Sequence, residues 1–459
     1  MKLAVAGAGF VGLVHAAVMA NQENQVVLFD VNERRIDDLN DFCAGVTDKL
    51  PIHEPGLPEL IKSAQKKNTL FFTTDADKAI QEATVIFICV GTPPNEQGKA
   101  DLKYVDSVAH NIGKVLQQSP GYKLIVNKST VPVGTAKRVR KIVSQYYQGE
   151  FDVASNPETL AEGRAVRDAS MPTRIIVGVD STKARKIFHE LYARFFLPQQ
   201  EKIYFMSPES GELTKYACNT YLASQVVLTN IFANTAKQVG ANWRDMVPAI
   251  LDDVRIGKFV HPGPGFGGSC FSKDLAQLYH TIREHGGDEF DYTVLETVLA
   301  QNEHQKLKIM HDIEKAYKGD FAGKKIAVWG LSFKRDTNDI RDAASLKLIP
   351  HLLNLGCTVH LHDPEAMEEF IKEMEHDHAD LTNALFFTDK YEAIKGCDGL
   401  LILNDWKTYK QPDFNTLREA LQRKVIFDGK DLLEYASVKD EGDFEYYSIG
   451  RPDIVNVKP

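Results

Sequence analysis

Gly7-Ala8-Gly9-Phe10-Val11-Gly12 is the stretch that decides the fold. Its GxGxxG spacing lies between an apolar run, Lys2 to Ala6, that reads as a strand, and a segment, Val11 to Ala20, that reads as a helix. A second strand, Gln25 to Phe29, ends in Asp30. Glycines in a turn that opens a helix, followed by a strand ending in an acid, form the dinucleotide-binding fingerprint. In that reading Gly7 makes the tight turn, Gly9 admits a pyrophosphate and Gly12 lets the helix pack on the strand. The helix N-terminus stabilises the phosphate charge. Asp30 would bond ribose hydroxyls and repel a 2′-phosphate, which selects NAD over NADP.

The same spacing settles the N-terminus. Lys2, the apolar run and Val18-Met19-Ala20 mimic a secretory signal. Strand, glycine turn and helix in register favour a folded first unit instead. No other apolar run is long enough to span a bilayer.

Working outward, strands are predicted at Leu70 to Thr73, Val85 to Val90, Leu124 to Asn127, Asp152 to Ala154, Arg174 to Val179 and Ile203 to Met206. Helical segments between most of them imply a doubly wound parallel sheet. Two loops after strand ends, Val90 to Pro94 and Lys128 to Thr135, are expected to wall the cofactor site, since ligands bind off the carboxyl ends of such strands. The competing reading is ordinary strand-to-helix turn chemistry.

In Asn156-Pro157-Glu158-Thr159-Leu160-Ala161-Glu162-Gly163, Glu158 and Glu162 would share a face if the turn is helical. Paired acids can move protons or contact substrate; a solvated helix face is the alternative. Ser207-Pro208-Glu209 then opens an unusually long helix toward Val239, with a serine cap and proline at its first position. Lys215 and Asn219 lie one turn apart on it, a pair able to stabilise an oxyanion or simply face solvent.

Gly263-Pro264-Gly265-Phe266-Gly267-Gly268-Ser269-Cys270-Phe271-Ser272-Lys273-Asp274 is the second informative stretch. Its glycines allow a tight turn and close approach of a ligand. The periodic run after it reads as a helix, with Ser269 or Ser272 as the expected N-cap. Cys270 thus stands near a helix N-terminus beside Lys273, where a thiolate is favoured. Asp274 lies one turn on. A lone cysteine is ordinarily a buried structural thiol; the glycines and charges here point to a nucleophile.

A chain of 459 residues calls for two or three domains, and 43% hydrophobic with 25% charged residues is a globular composition. A net charge of -9 argues against non-specific nucleic-acid or anionic-membrane binding. The six cysteines are scattered, with no CxxC pair and no zinc spacing, so no metal is expected. They read as reduced thiols of a cytoplasmic protein. In the last third, Lys325 to Trp329 reads as a strand entering Gly330-Leu331-Ser332-Phe333-Lys334. A helix (Ala343 to Leu355) and strands at Thr358 to Leu361, Gly399 to Leu403 and Lys424 to Phe427 follow, giving a second Rossmann-like unit. The stretch after Tyr447 carries no clear signal.

Together these segments resemble the UDP-glucose/GDP-mannose dehydrogenase family over nearly the whole chain. The resemblance rests on Gly7 to Gly12, Pro51 to Leu57, Ser129 to Thr135, Asn156 to Glu162, Glu212 to Asn219 and Gly267 to Asp274. Departures are Ser272 for a frequent Pro, Thr159 and Ala161 in the Asn-Pro-Glu motif, and Gln225 and Ile231 on the long helix. The family implies an α/β fold: two Rossmann-like doubly wound domains joined by a long central helix and a helical middle domain. The boundaries are 1–206, 207–318 and 319–459.

It also implies four-electron oxidation of UDP-glucose at C6 with two NAD, through a thiohemiacetal and a thioester on Cys270. Catalytic roles fall to Cys270, Lys215, Asn219, Asp274, Glu158, Glu162 and Thr130. Cofactor contacts fall to Gly7, Gly9, Phe10, Val11, Gly12, Asp30, Arg35, Thr92, Thr130, Glu162, Lys273 and Arg341. Substrate contacts fall to Glu158, Leu160, Lys215, Asn219, Arg255, Phe259, Gly267, Phe333, Lys334 and Lys430. Lys430 stands where the family usually has Arg, which keeps the charge without a bidentate fork. A homodimer or higher homo-oligomer is expected, with Arg255 reaching the neighbouring subunit's substrate. GDP-mannose is the alternative substrate; an N-acetylated sugar fits less well, because Ser269-Cys270 differs from that branch's usual Gly-His-Cys. A non-catalytic NAD- and nucleotide-binding module is the alternative class, disfavoured by the joint presence of Cys270, Lys215, Asn219 and Asp274.

Overall fold

A computed structural model describes residues 1–95, 98–197, 201–254, 256 and 261–455. The chain divides into two compact units, Met1–Cys218 with Ala276–Gly286, and Asn219–Leu275 with Gly287–Pro459.

The first unit is built on an eight-stranded sheet: β1 (Lys2–Ala6), β2 (Gln25–Phe29), β3 (Leu70–Thr73), β4 (Val85–Ile88), β5 (Lys123–Asn127), β6 (Phe151–Ser155), β7 (Ile175–Gly178) and β8 (Ile203–Met206). Its order is β3-β2-β1-β4-β5-β6-β7-β8. Strand order reverses at β1, which lies between β2 and β4, so a ligand crevice is expected off the carboxyl ends of β1 and β4. Alternation along β1 serves both faces. Leu3 and Val5 enter one buried layer, Ala4 and Ala6 the other. β4, at the centre of the sheet, is apolar and buried throughout, as a strand covered on both sides must be.

The all-parallel expectation fails at one place. β6 meets β7 antiparallel, through the pairing of Ser155 with Gly178, while β7 and β8 are parallel. A parallel partner needs a crossover that carries the chain back along the sheet. Between β6 and β7 the one helix is Ala165–Ser170, six residues long. The rest of that connection stays irregular and holds Glu158.

The second unit carries a six-stranded sheet: β9 (Lys325–Trp329), β10 (Thr358–His362), β11 (Ala384–Phe386), β12 (Gly399–Ile402), β13 (Val425–Asp428) and β14 (Glu445–Ser448). Its order is β11-β10-β9-β12-β13-β14, and every pair is parallel. The edge strands β11 and β14, of three and four residues, are not among the expected strands. Ile326 and Val328 face one core layer, Ala327 and Trp329 the other.

The long helix runs Pro208–Gln238, and the chain passes from one unit to the other within it. Ser207 caps it as expected, its Oγ accepting Ser210 N at 3.2 Å. Its first turn lies against β7 because two glycines meet there: a Cβ on Gly211 would fall 2.9 Å from Gly178 Cα. That close approach sets the depth at which Lys215 enters the first unit.

Candidate active site

The glycine turn after β1 has the shape a dinucleotide requires. Gly7 has φ of +106°, and a Cβ there would lie 2.8 Å from Cys89 O; one on Gly12 would lie 1.9 Å from Gly7 O. Gly9 faces open space, with nothing within 4 Å of where its Cβ would be. The helix Phe10–Asn21 begins there with no side-chain cap and no acid in its first turn. Its first N–H groups and positive end therefore suit an anion. Asp30 Oδ2 accepts Ala8 N at 2.7 Å and Oδ1 accepts Asn32 N at 2.9 Å, which holds a half-exposed carboxylate at the end of β2. Thr92 Oγ1 donates to Thr130 O at 2.9 Å, tying the two expected walls together. Arg35 sits on the helix Glu33–Ala44, where its N–H is capped by Asn32. Phe10 and Val11, in the first turn, are half-buried. These residues fit an adenine dinucleotide.

Deeper in the same unit, Lys215 Nζ meets Glu158 Oε1 at 2.7 Å, both side chains less than a tenth exposed. Glu158 Oε2 accepts Leu160 N at 2.5 Å. Burial alone would raise the Glu158 pKa; the Lys215 charge and these hydrogen bonds outweigh it and hold the carboxyl below its usual range. The expected helical pairing of Glu158 with Glu162 does not form. Residues 156–161 are irregular and Glu162 lies in a turn, because Glu158's bond to Leu160 N locks a local loop in place of a helical turn.

Cys270, in the second unit, directly precedes the helix Phe271–Glu284, so Cys270 itself takes the cap position and neither Ser269 nor Ser272 does. The Cys270 carbonyl accepts Asp274 N at 2.9 Å. Ser272 is drawn away, its Oγ donating to Asp342 Oδ2 at 2.6 Å. Cys270 is half-buried, with Ser269 Oγ 3.7 Å from its sulfur. Asp274 is almost fully buried and receives Asn219 Nδ2 on Oδ2 at 2.6 Å and Lys273 Nζ on Oδ1 at 3.0 Å. Lys273 is therefore engaged by the carboxylate one residue on.

The loop before Cys270 is fastened from the helix Glu289–Lys306 and the long helix. Asn302 Oδ1 accepts Phe266 N at 2.7 Å, Gln305 Nε2 donates to Gly263 O at 2.9 Å, and Asn230 Oδ1 accepts Gly263 N at 2.9 Å. Lys306, 1% exposed, bridges Glu303 and Asp342. No local pattern marks these four residues, which reach the loop from helices distant in sequence. Gly267 fits tightly: a Cβ there would lie 2.6 Å from Asp342 O and 2.8 Å from Phe333 Cβ. Lys334 Nζ stands 5.2 Å from the Phe333 ring centre. The Arg341 guanidinium forks onto Asp339, with Nη2 to Oδ2 at 2.6 Å, and its carbonyl accepts Gly268 N. Lys430 Nζ lies 3.2 Å from where a Gly263 Cβ would be. Arg255 and Phe259 lie outside the described residues.

Models of one protein family match three segments. They are the NAD binding domain of the UDP-glucose/GDP-mannose dehydrogenase family at 1–196, its central domain at 209–304 and its UDP binding domain at 327–435. The chain belongs to the UDP-glucose/GDP-mannose dehydrogenase family. Among relatives within it, UDP-glucose 6-dehydrogenase TuaD of Bacillus subtilis is 38% identical, over 100% of this chain and 95% of its own. UDP-glucose 6-dehydrogenase of Pseudomonas aeruginosa is 36% identical over 98% of each. The solved UDP-glucose dehydrogenase of Pyrobaculum islandicum superposes with a TM-score of 0.85 at 31% identity, covering 98% of this chain and 97% of that one. The family resemblance and the fold of two Rossmann-like units are thereby borne out. All six cysteines are free, and no described helix is long and apolar enough to cross a membrane.

Proposed function

We infer that this protein is an NAD-dependent UDP-glucose 6-dehydrogenase, which oxidises the C6 alcohol of UDP-glucose to the carboxylate of UDP-glucuronate. The observation that carries it is full-length identity of 38% to such an enzyme, with Cys270 at a helix cap beside the Asn219–Asp274 pair. In balance, one alcohol, two NAD and one water give one carboxylate, two NADH and three protons. NAD, when bound, accepts one hydride in each oxidation. The turn Gly7 to Gly12 and Asp30 hold it in this reading, with Phe10, Val11, Arg35, Thr92, Thr130, Glu162, Lys273 and Arg341 as further contacts.

The chain's own residues do the rest. Proton removal from the C6 hydroxyl falls to the group around Lys215, Asn219, Asp274 and Glu162, directly or through water. The Cys270 thiolate, favoured at a helix N-terminus, adds to the aldehyde carbon as a thiohemiacetal. Oxidation of that adduct leaves a thioester. Lys215 and Asn219 stabilise the oxyanions, and Asp274 or Glu158 activates the hydrolytic water. The nucleotide sugar is held by Leu160, Gly267, Phe333, Lys334, Lys430, Phe259 and a neighbouring subunit's Arg255. Residues 1–206, 207–318 and 319–459 serve as NAD, central and UDP-sugar domains of a cytoplasmic homodimer. Tyr221, Leu228 and Phe232, exposed along the long helix, favour a partner there.

The test is stoichiometry. With limiting UDP-glucose we expect two NADH per sugar and little free aldehyde; one NADH with aldehyde accumulating would refute the four-electron assignment.

A further inference from the structure

Lys128 follows β5 and is 8% exposed, beneath the carboxyl ends of the first sheet. Its N–H donates to Ile88 O at 2.9 Å and its Nζ to Asn156 Oδ1 at 3.1 Å. That amide is fixed on every side. Tyr192 also donates to Asn156 Oδ1 at 2.6 Å, Asn156 Nδ2 donates to Ile176 O at 2.7 Å, and Asn156 N donates to Asn127 O at 2.9 Å. Two residues on comes Glu158, paired with Lys215.

A buried ammonium is unfavourable unless a partner offsets it. The hydrogen-bond partner of Lys128 is a neutral amide, so its charge is not cancelled locally and acts on its surroundings. The titratable groups facing it come from five elements: His15 on the helix Phe10–Asn21, Cys89 after β4, Glu158 after β6, Tyr192 on the helix Thr182–Tyr192, and Lys215 on the long helix. Burial, with the Lys128 charge, holds His15 well below its usual range. Burial pushes the Cys89 thiol up to about 12, against the Lys128 charge. Burial raises the Tyr192 pKa in the same way. All three are neutral near pH 7, which leaves one carboxylate, Glu158, between two cations.

We propose that Lys128 is a positioning residue for the reaction: its buried ammonium anchors the Asn156-Pro157-Glu158 turn and keeps Glu158 ionised for turnover. This rests on the assignment of Glu158 to the chemistry given above. Lys215 is the larger influence on Glu158 and Lys128 acts in the same direction. Burial, helped by the Lys215 charge and opposed by Cys89 and Glu158, lowers Lys128 itself to about 8.

The test is the acid limb of kcat/KM for NADH formation from UDP-glucose. Removing a neighbouring cation raises a carboxylate pKa, so Lys128→Met and Lys128→Gln move the limb upward by about one pH unit. Lys128→Arg, which retains the charge, leaves it at the wild-type position. So does Tyr192→Phe, which removes the other donor to Asn156 without changing charge. NAD affinity, read by fluorescence titration, stays within about twofold throughout. An unmoved limb in an active Lys128→Met enzyme overturns the proposal. Should the neutral variants not fold, a 13C titration of the Glu158 carboxyl in the wild type, assigned with Glu158→Gln, decides. A carboxyl still mostly ionised at pH 4.5 sustains the proposal, and one mostly protonated there overturns it. If the wild type forms no NADH from UDP-glucose, the functional reading fails, and the carboxyl titration still judges the ionisation of Glu158.

Discussion

Gly7, after β1, and Gly330, after β9, occupy the same place in two parallel sheets. Their φ angles are +106° and +103°. Each N–H donates to the last residue of the neighbouring strand, Phe29 O at 2.8 Å and His362 O at 2.9 Å. In each, the acid after that strand accepts the next N–H at 2.7 Å: Asp30 from Ala8, Asp363 from Leu331. The turns then diverge. A helix begins at Phe10 after the first, whereas after Gly330 the next helix is Ser345–Asn354. Asp30 has two backbone donors and is half-exposed. Asp363 is fully buried and takes six: Leu331 N, Ser332 N, Ser332 Oγ, Trp406 Nε1, Glu365 N and Ala366 N. A carboxylate with all its acceptor sites filled cannot also bind a ribose. Two turns of one shape therefore do different work, because one keeps free valence and a helix end for a ligand while the other spends both on its own loop.

On the proposed function, the two turns bind and scaffold, and bond-making falls to Cys270. Cys270→Ala is the strongest challenge to that division. We expect steady-state turnover to fall at least about a thousandfold, roughly 4 kcal/mol of transition-state stabilisation, with NAD affinity nearly unchanged. UDP-glucuronate formation within tenfold of wild type would make Cys270 structural. Asp363→Ala should next cost at least about 3 kcal/mol in denaturant unfolding of the second unit, since several buried donors lose one acceptor. NAD binding by the first unit should persist; its loss would break the separation between the two acids. The smallest effect belongs to Asp30→Ala. It should erode the preference for NAD over NADP by at least about tenfold, roughly 1.4 kcal/mol, at little cost in stability. Unchanged discrimination in kcat/KM would place the ribose elsewhere.

Much of this was legible in the chain. β1, β2, β3, β8 and β9 fall on the residues expected for them, because each is a largely apolar run bounded by turn residues. β11 was not, its three residues being too few to show a period, and neither was β14, where Glu445 and Ser448 interrupt the apolar run. The antiparallel entry of β7 was not either, since strand direction depends on how the connection packs and no residue type encodes it.

Local spacing by itself determined the dinucleotide turn, the long helix and the cysteine at a helix start. Each is a contact between residues a few positions apart, so its geometry is written in glycine spacing, caps and period. Only the tertiary structure decided which charges meet. Lys215 finds Glu158, Asn219 finds Asp274, and Lys128 is buried on Asn156. The cap also passed to Cys270, as Ser272 turned to Asp342. Such pairings join residues far apart in the chain, and burial decides whether a lysine is a solvated surface charge or a cation that acts on its neighbours.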